Sequence, residues 1–164
     1  MKNINKKLIV RFILIIIWMI VIFCFSNQDA NISENTSEGT TAVIIKAFTK
    51  NVEINEQQKI IDRIDPIIRK LAHYSIYLVG GIIIMNFMNL FDKTDEQKML
   101  YSIIIGIIYA TTDEIHQYFI PGRSMSILDV FIDTLGLCTG IVIFLILYNS
   151  IIKRMKNNIK SIAK

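Results

Sequence analysis

The stretch LIVRFILIIIWMIVIFCF, residues 8–25, decides the class of protein to which this chain belongs. As an α-helix it would be about 27 Å long, close to the thickness of the hydrocarbon core of a bilayer. Its one charged residue, Arg11, lies near the beginning, where a long side chain can extend to the lipid headgroups. The stretch therefore predicts a transmembrane helix over residues 8–26.

A cleaved signal peptide is the alternative interpretation, because the chain begins with the basic segment MKNINKK. The apolar run that follows is too long for a signal peptide. No small-x-small cleavage motif comes after it, near the segment FSNQDA at residues 25–30. We therefore predict a first span that is retained.

Three further segments are long and apolar enough to cross a bilayer, at residues 71–91, 99–119 and 127–152. The chain has only 164 residues, of which 52% are hydrophobic, and a soluble core of that size could not bury so much isoleucine and leucine. The predicted fold is all-α: an integral membrane four-helix bundle that forms a single domain over residues 1–164.

Small residues within the apolar segments predict packing rather than chemistry. The two cysteines, Cys24 and Cys138, both fall in apolar runs, where neither spacing nor context indicates a disulfide or a zinc site. The glycines of the second and fourth spans have no phosphate-binding loop beside them, and we expect them to allow close approach of helices: Gly80, Gly81, Gly136 and Gly140.

The distribution of lysine and arginine predicts the orientation. Cations gather before the first span, in the short loop at 92–98 and after residue 152, and such a bias marks the cytoplasmic side. Both termini are therefore predicted to be cytoplasmic and the loop at 27–70 external. The net charge of +4 is a topology signal on this interpretation, and no nucleic-acid-binding motif accompanies it.

The long external loop contains two stretches with helical spacing of apolar residues. Residues 33–54 begin with capping residues, and residues 56–71 contain Pro66 as a kink or as a new helix start. We expect two amphipathic helices here. A surface role without direct function is favoured over a role in capping the site.

Polar side chains share helix faces within three of the predicted spans. In the second span, Arg69, His73 and Tyr77 fall within an arc of about 80°. In the fourth span, Asp129 and Asp133 lie roughly 40° apart. The third span carries a similar cluster near its end: Asp113, Glu114, His116 and Gln117.

The direction of each span brings these clusters to one level. The third span runs outward and carries its cluster at its end, whereas the second and fourth run inward and carry theirs at the beginning. Ser26, Gln28 and, in the IPGRS turn, Arg123 join them. A charge at the bilayer centre costs about 3 kcal/mol on insertion scales, so such residues pair with one another or serve a function. The sequence predicts one charged site that faces the outside.

At these positions the chain resembles the VanZ-like family of bacterial membrane proteins, whose founding member is associated with teicoplanin (glycopeptide) resistance. The resemblance rests on FSNQ at 25–28, RKLAHYSIY at 69–77 and DEIHQYFIPGRSMSILDVFIDTLG at 113–136. It implies a multi-pass protein of the bacterial cytoplasmic membrane. The positions that match the family pattern are Ser26, Gln28, Arg69, Lys70, His73, Tyr77, Asp113, Glu114, Gln117, Arg123, Asp129 and Gly136. Two positions depart from it: Ile76, where many relatives carry an acid, and Asp133, where many carry asparagine.

The resemblance implies a contribution to glycopeptide resistance, and the residues leave its mechanism open. One hypothesis is binding of a lipid, a cell-wall precursor or the antibiotic itself. The ligand-binding residues would be Ser26, Gln28, Arg69, Lys70, Tyr77, Gln117, Arg123 and Asp133. We expect the bilayer and a lipid-linked precursor or glycopeptide as partners, and no nucleic acid.

A second hypothesis is a membrane enzyme. His73 with Asp113, Glu114 or Asp129 could perform acid and base catalysis on a lipid-linked substrate while arginines hold its phosphate or carboxylate. The acidic residues could instead bind magnesium, manganese or calcium, although no compact metal motif is present and no cofactor is predicted. A third hypothesis is structural: the polar network only sets the packing of the helices.

Overall fold

The computed structural model describes residues 2–48 and 53–162, and all regular structure in them is α-helical. This confirms the predicted all-α class. The chain forms five helices: α1 (Lys2–Ser26), α2 (Ala30–Phe48), α3 (Ile54–Met88), α4 (Asp95–Tyr118) and α5 (Ile127–Ile162).

Among the described residues, three helices are long and apolar enough to cross a membrane: α1 over Lys6–Ser26, α3, and α5 over Ile127–Ile151. Their outward surfaces are rich in exposed isoleucine, leucine and phenylalanine, as expected where lipid replaces water. The predicted third span is helical as α4, but it is more polar because it begins with Asp95 and Glu96 and ends with a charged cluster. The four-span arrangement and the cytoplasmic termini therefore stay predictions.

Helix α3 differs from the prediction in its length. It runs without interruption for 35 residues, so the expected amphipathic stretch at 56–71 and the expected span at 71–91 are one helix. Pro66 lies inside this helix and neither breaks it nor begins a new one. The helix is about 52 Å long, which exceeds the roughly 30 Å of hydrocarbon in a bilayer. Of the two predicted loop helices, α2 is separate, and residues 49–52 between α2 and α3 lie outside the described residues.

The closest helix pair is α3 and α5, and glycines make the close approach possible. A Cβ atom on Gly81 would overlap the Leu137 carbonyl, and one on Gly140 would overlap the Leu78 carbonyl. Gly136 meets the Tyr74 carbonyl in the same way. The prediction that these glycines serve helix packing is confirmed. Their contacts also determine which face of α5 lies on α3.

Helix α1 packs against α3 and α4 through buried aromatic side chains. Trp18 donates a hydrogen bond to the Ile76 carbonyl at 2.9 Å, and Tyr109 of α4 donates to the Met19 carbonyl at 2.7 Å. Trp18 also fills the space beside Gly80, and its ring meets Tyr77 edge to face. At the other end of α1, the Arg11 guanidinium bonds to the Asn86 carbonyl near the end of α3.

Helix α2 lies along the first half of α3 and is fixed there by Asp65. The Asp65 carboxyl group is buried and accepts hydrogen bonds from Ser37 and Thr41, each at 2.8 Å. Ile45 and Ile61 are buried along the same helix pair. These contacts hold α2 beside the polar part of α3.

Candidate functional site

The polar clusters meet at one end of the helix bundle, which we call the site end. Helices α1 and α4 end there, α5 begins there, and the middle of α3 passes through it. The turn between α4 and α5 is closed by Gly122, whose positive φ of 76° favours glycine. This topology brings together the residues that the sequence places near the ends of separate helices.

Ser26, Asp113 and Gln117 form a buried cluster between α1 and α4. The Ser26 hydroxyl donates to Asp113 Oδ1 at 2.6 Å, and Gln117 Nε2 donates to Asp113 Oδ2 at 3.1 Å. Both carboxyl oxygens of Asp113 are therefore engaged. This arrangement ties the end of α1 to α4.

Glu114 stabilises the beginning of α5. Its Oε2 atom accepts a hydrogen bond from the backbone N–H of Ser126 at 2.8 Å, and the Ser126 hydroxyl in turn accepts from the Asp129 N–H at 3.3 Å. A carboxylate beside the first turn of a helix is favourable because unpaired N–H groups point toward it. Glu114 is thus a buried anchor for the turn that carries Arg123.

His73 lies against Asp133. Its Nδ1 atom is 3.6 Å from Asp133 Oδ1, and Asp133 is fully buried, with neither oxygen in a hydrogen bond to the described residues. The sequence paired His73 with Asp113, Glu114 or Asp129. The structure places Asp133 there instead, because the glycine contacts set the rotation of α5 on α3 and bring this face to His73.

Asp129 has a different partner. Its Oδ1 atom is 3.7 Å from the Lys70 ammonium, and both side chains are partly exposed. The pair therefore cancels one positive charge at the rim of the site. Two guanidinium groups remain, and in the part of the chain that the structure describes neither Arg69 nor Arg123 pairs with a carboxylate.

Arg123 reaches from the α4–α5 turn to the opposite side of the site. It donates to the Ser33 hydroxyl of α2 at 2.9 Å and to the Phe25 carbonyl at 3.4 Å. The pKa of Arg123 is lowered by burial and by the like charge of Arg69. This effect outweighs the opposite effect of the nearby carboxyl groups. The guanidinium still carries its proton at physiological pH. Of the charged residues that line the cavities, Arg69, Lys70 and Arg123 are cationic and Asp129 is anionic, so the cavity walls carry a net positive charge.

Two cavities adjoin at the site end. The polar cavity, of about 190 Å³, lies between α3 and the α4–α5 turn, and the apolar cavity, of about 250 Å³, lies between α1, α2 and α3. Four residues line both: Ser33, Arg69, His73 and Arg123. The two arginines and the histidine therefore stand where the cavities meet.

Comparison with known proteins agrees with these features. The sequence profile of the family described as VanZ/LLP1 matches residues 11–148, which include every helix of the site. The chain belongs to the VanZ/LLP1 family. No match was found among functionally described proteins or among solved structures. Family and apolar helices together establish a VanZ-like membrane protein.

Most of the site residues predicted from the sequence line the two cavities. The polar cavity is lined by Arg69, Lys70, His73, Gln117, Arg123 and Asp129. The apolar cavity adds Ser26, Gln28 and Tyr77. The other three predicted residues, Asp113, Glu114 and Asp133, line neither cavity. Asp113 and Asp133 contact residues of the cavity walls, and Glu114 contacts the backbone of Ser126.

Helix α2 contributes site residues that sequence reasoning missed in this VanZ/LLP1 chain. Its hydroxyl side chains line the apolar cavity: Ser33, Thr36, Ser37 and Thr40. Their three- and four-residue spacing marks one polar face of a helix, which is the signal that could have identified them. The expectation favoured a surface helix without a role, whereas α2 forms a wall of the site.

The acidic residues of this VanZ/LLP1 site have separate partners. Within residues 2–48 and 53–162, no three His, Cys, Asp or Glu side chains lie close enough to hold one ion. Each carboxyl group is instead drawn to a different neighbour: a hydroxyl and an amide, a backbone N–H, an ammonium or an imidazole. His116, a secondary candidate, packs its ring against Phe23.

Proposed function

We propose that this protein binds an anionic molecule of the bacterial cell envelope and through this binding contributes to tolerance of teicoplanin-type glycopeptides. The observation that carries the proposal is the pair of arginines, Arg69 and Arg123, which line both cavities without a carboxylate partner among the described residues. Guanidinium groups bind phosphate and carboxylate through two parallel hydrogen bonds, so an anion is the ligand that suits them best.

The proposal includes the topology. Helices α1, α4, α5 and the second half of α3 cross the bacterial cytoplasmic membrane, with both termini inside and the site end outside. The lysine and arginine distribution supports this orientation. In it, the site faces lipids and cell-wall precursors, which are the molecules that glycopeptides act upon or approach. The link to antibiotic tolerance rests on family membership.

The experiment that tests this function compares Arg69→Gln with Arg63→Gln. Both residues are exposed arginines of α3, but Arg63 lines neither cavity. We expect expression of the natural chain in a susceptible bacterium to raise the inhibitory concentration of teicoplanin. Arg69→Gln should lose this protection and Arg63→Gln should keep it, at equal abundance in the membrane.

Two outcomes would contradict the proposal. Equal protection by both variants would show that the charge of Arg69 is not used. If the natural chain inserts normally but gives no protection, the protein does not contribute to glycopeptide tolerance. Binding of envelope anions would then have to be measured directly.

An enzyme is the second candidate function, and the His73–Asp133 pair favours it. A carboxylate beside one ring nitrogen orients an imidazole and stabilises its protonated form, so that the other nitrogen can exchange a proton with a bound ligand. His73 lines both cavities, so it is the residue placed for this role. His73→Gln should then abolish turnover of a bound lipid-linked substrate and leave its binding to Arg69 intact.

A further inference from the structure

The apolar cavity needs an explanation that an anion alone does not give. Most of its wall surface is apolar, and Ile22 and Phe25 of α1 and Ile68 and Ile76 of α3 contribute to this surface. A lipid headgroup or a soluble anion gains no binding free energy from apolar walls. A hydrocarbon chain can fill this space, entering it either from water or from the surrounding lipid. The cavity therefore adds a requirement to the ligand beyond its charge.

Charge and apolar surface are arranged in the order of a lipid molecule. The polar cavity has the arginines and Lys70 at its walls, and the apolar cavity continues directly from Arg69, His73 and Arg123. One ligand can thus place a charged group on the arginines and a chain among the isoleucines. The hydroxyl of Tyr77 is fully buried in the apolar cavity wall without a hydrogen-bond partner among the described residues.

We propose that the two cavities form one binding site for an anionic amphiphile, with a phosphate group at Arg69 and Arg123 and a hydrocarbon chain in the apolar cavity. This inference rests on the proposed function and specifies its ligand class. It favours a lipid phosphate over a soluble cell-wall fragment.

The single tryptophan of the chain gives a direct probe. Trp18 bonds to the carbonyl of Ile76 and contacts Tyr77, and both of these residues line the apolar cavity. Bromine on a hydrocarbon chain quenches indole fluorescence at short range. The probe is dodecyl phosphate with bromine at the chain end, added to the full-length protein in nanodiscs of unbrominated phosphatidylcholine.

The expected result is saturable quenching of Trp18 by the brominated phosphate. Brominated dodecanol, which has the same chain without the charge, should quench only in proportion to its partition into the bilayer. Arg69→Gln should lower the affinity measured from the saturable quenching at least about tenfold, the loss expected for one charge-assisted hydrogen bond. Arg63→Gln should leave this affinity unchanged.

A second variant pair isolates the chain from the headgroup. Ile68→Phe adds volume to the wall of the apolar cavity, whereas Ile67→Phe makes the same change at an exposed neighbour outside it. Ile68→Phe should weaken binding of the brominated dodecyl phosphate. It should leave unchanged the increase in unfolding temperature that inorganic phosphate produces. Ile67→Phe should change neither measurement.

The outcomes separate this inference from the proposed function. Phosphate binding that persists without saturable quenching, or that is equal in the two phenylalanine variants, would overturn the amphiphile and leave the anion site intact. No binding of any phosphate would overturn both. Competition by phosphatidylglycerol would identify a bilayer phospholipid as the source, and competition by farnesyl phosphate would identify a prenyl-linked precursor. Failure of both competitors would contradict a lipid phosphate.

Discussion

At the scale of single residues, the acidic side chains of the site have separate tasks. Asp113 accepts hydrogen bonds from Ser26 and Gln117, and Glu114 accepts one from the Ser126 N–H. Both therefore hold helices in place. Asp133 instead stands behind His73, which lines the cavities. The charged residues that line the cavities are thus mainly basic, and of the four acidic residues Asp113, Glu114, Asp129 and Asp133 only Asp129 lines a cavity.

Asp113→Asn tests the structural role of this carboxyl group. An asparagine side chain presents one NH2 group where Asp113 accepts two hydrogen bonds, so a buried donor loses its acceptor. We expect the free energy of unfolding to fall by about 1–3 kcal/mol, the cost of such an unsatisfied group. Thermal unfolding of the purified protein in detergent measures the change.

The matched control for this prediction is Asp92→Asn, at an exposed position between α3 and α4. It should leave the unfolding temperature unchanged. If Asp113→Asn inserts and unfolds like the natural chain but loses glycopeptide protection, Asp113 takes part in function directly and its structural assignment is wrong.

At the scale of elements, the contact between α3 and α5 sets the geometry of the site. The backbones approach closely at Gly81, Gly136 and Gly140, and this approach determines that Asp133 meets His73 and Asp129 meets Lys70. Helix α2, fixed by Asp65, completes the apolar cavity. The geometry of the site thus depends on two helix contacts, that of α3 with α5 and that of α2 with α3.

Gly140→Ala should separate α3 from α5. Its added methyl group overlaps the Leu78 carbonyl, which belongs to the backbone and cannot rotate away. Overpacking of this kind costs about 1–3 kcal/mol, and thermal unfolding should show it. Gly39→Ala is the control: nothing lies within 4 Å of the added methyl group in α2. That change should stabilise the helix by up to about 1 kcal/mol, and equal effects of the two changes would contradict the packing account.

Periodicity in the sequence predicted the elements of this site better than their pairing. Asp113 and Gln117 share a face of α4 because they are four residues apart, and their bond follows from that spacing. The partner of His73 depends on how α5 rotates against α3, and that rotation is fixed by contacts between distant segments. The periodicity of residues within one helix contains no information about this rotation. In α2 the spacing of the hydroxyl side chains marks a polar face, but it does not show which helices this face meets.

At the scale of the whole molecule, an apolar helix bundle carries a charged site at one of its ends. The long α3 connects them: its first part supports α2, its middle carries Arg69, Lys70 and His73, and its last part packs in the apolar core. We propose from this arrangement, and from the distribution of lysine and arginine along the chain, that the site faces outward and binds an anion.

The measurement that tests this claim most directly is cysteine labelling in intact cells. Ser124→Cys is introduced at an exposed position that lines the polar cavity, and Lys93→Cys is introduced in the short loop after α3, both after replacement of Cys24 and Cys138 by alanine. A membrane-impermeant maleimide should label Ser124→Cys before lysis, and added dodecyl phosphate should protect it. Lys93→Cys should react only after lysis. Labelling of Lys93→Cys in intact cells with Ser124→Cys silent until lysis would contradict the account.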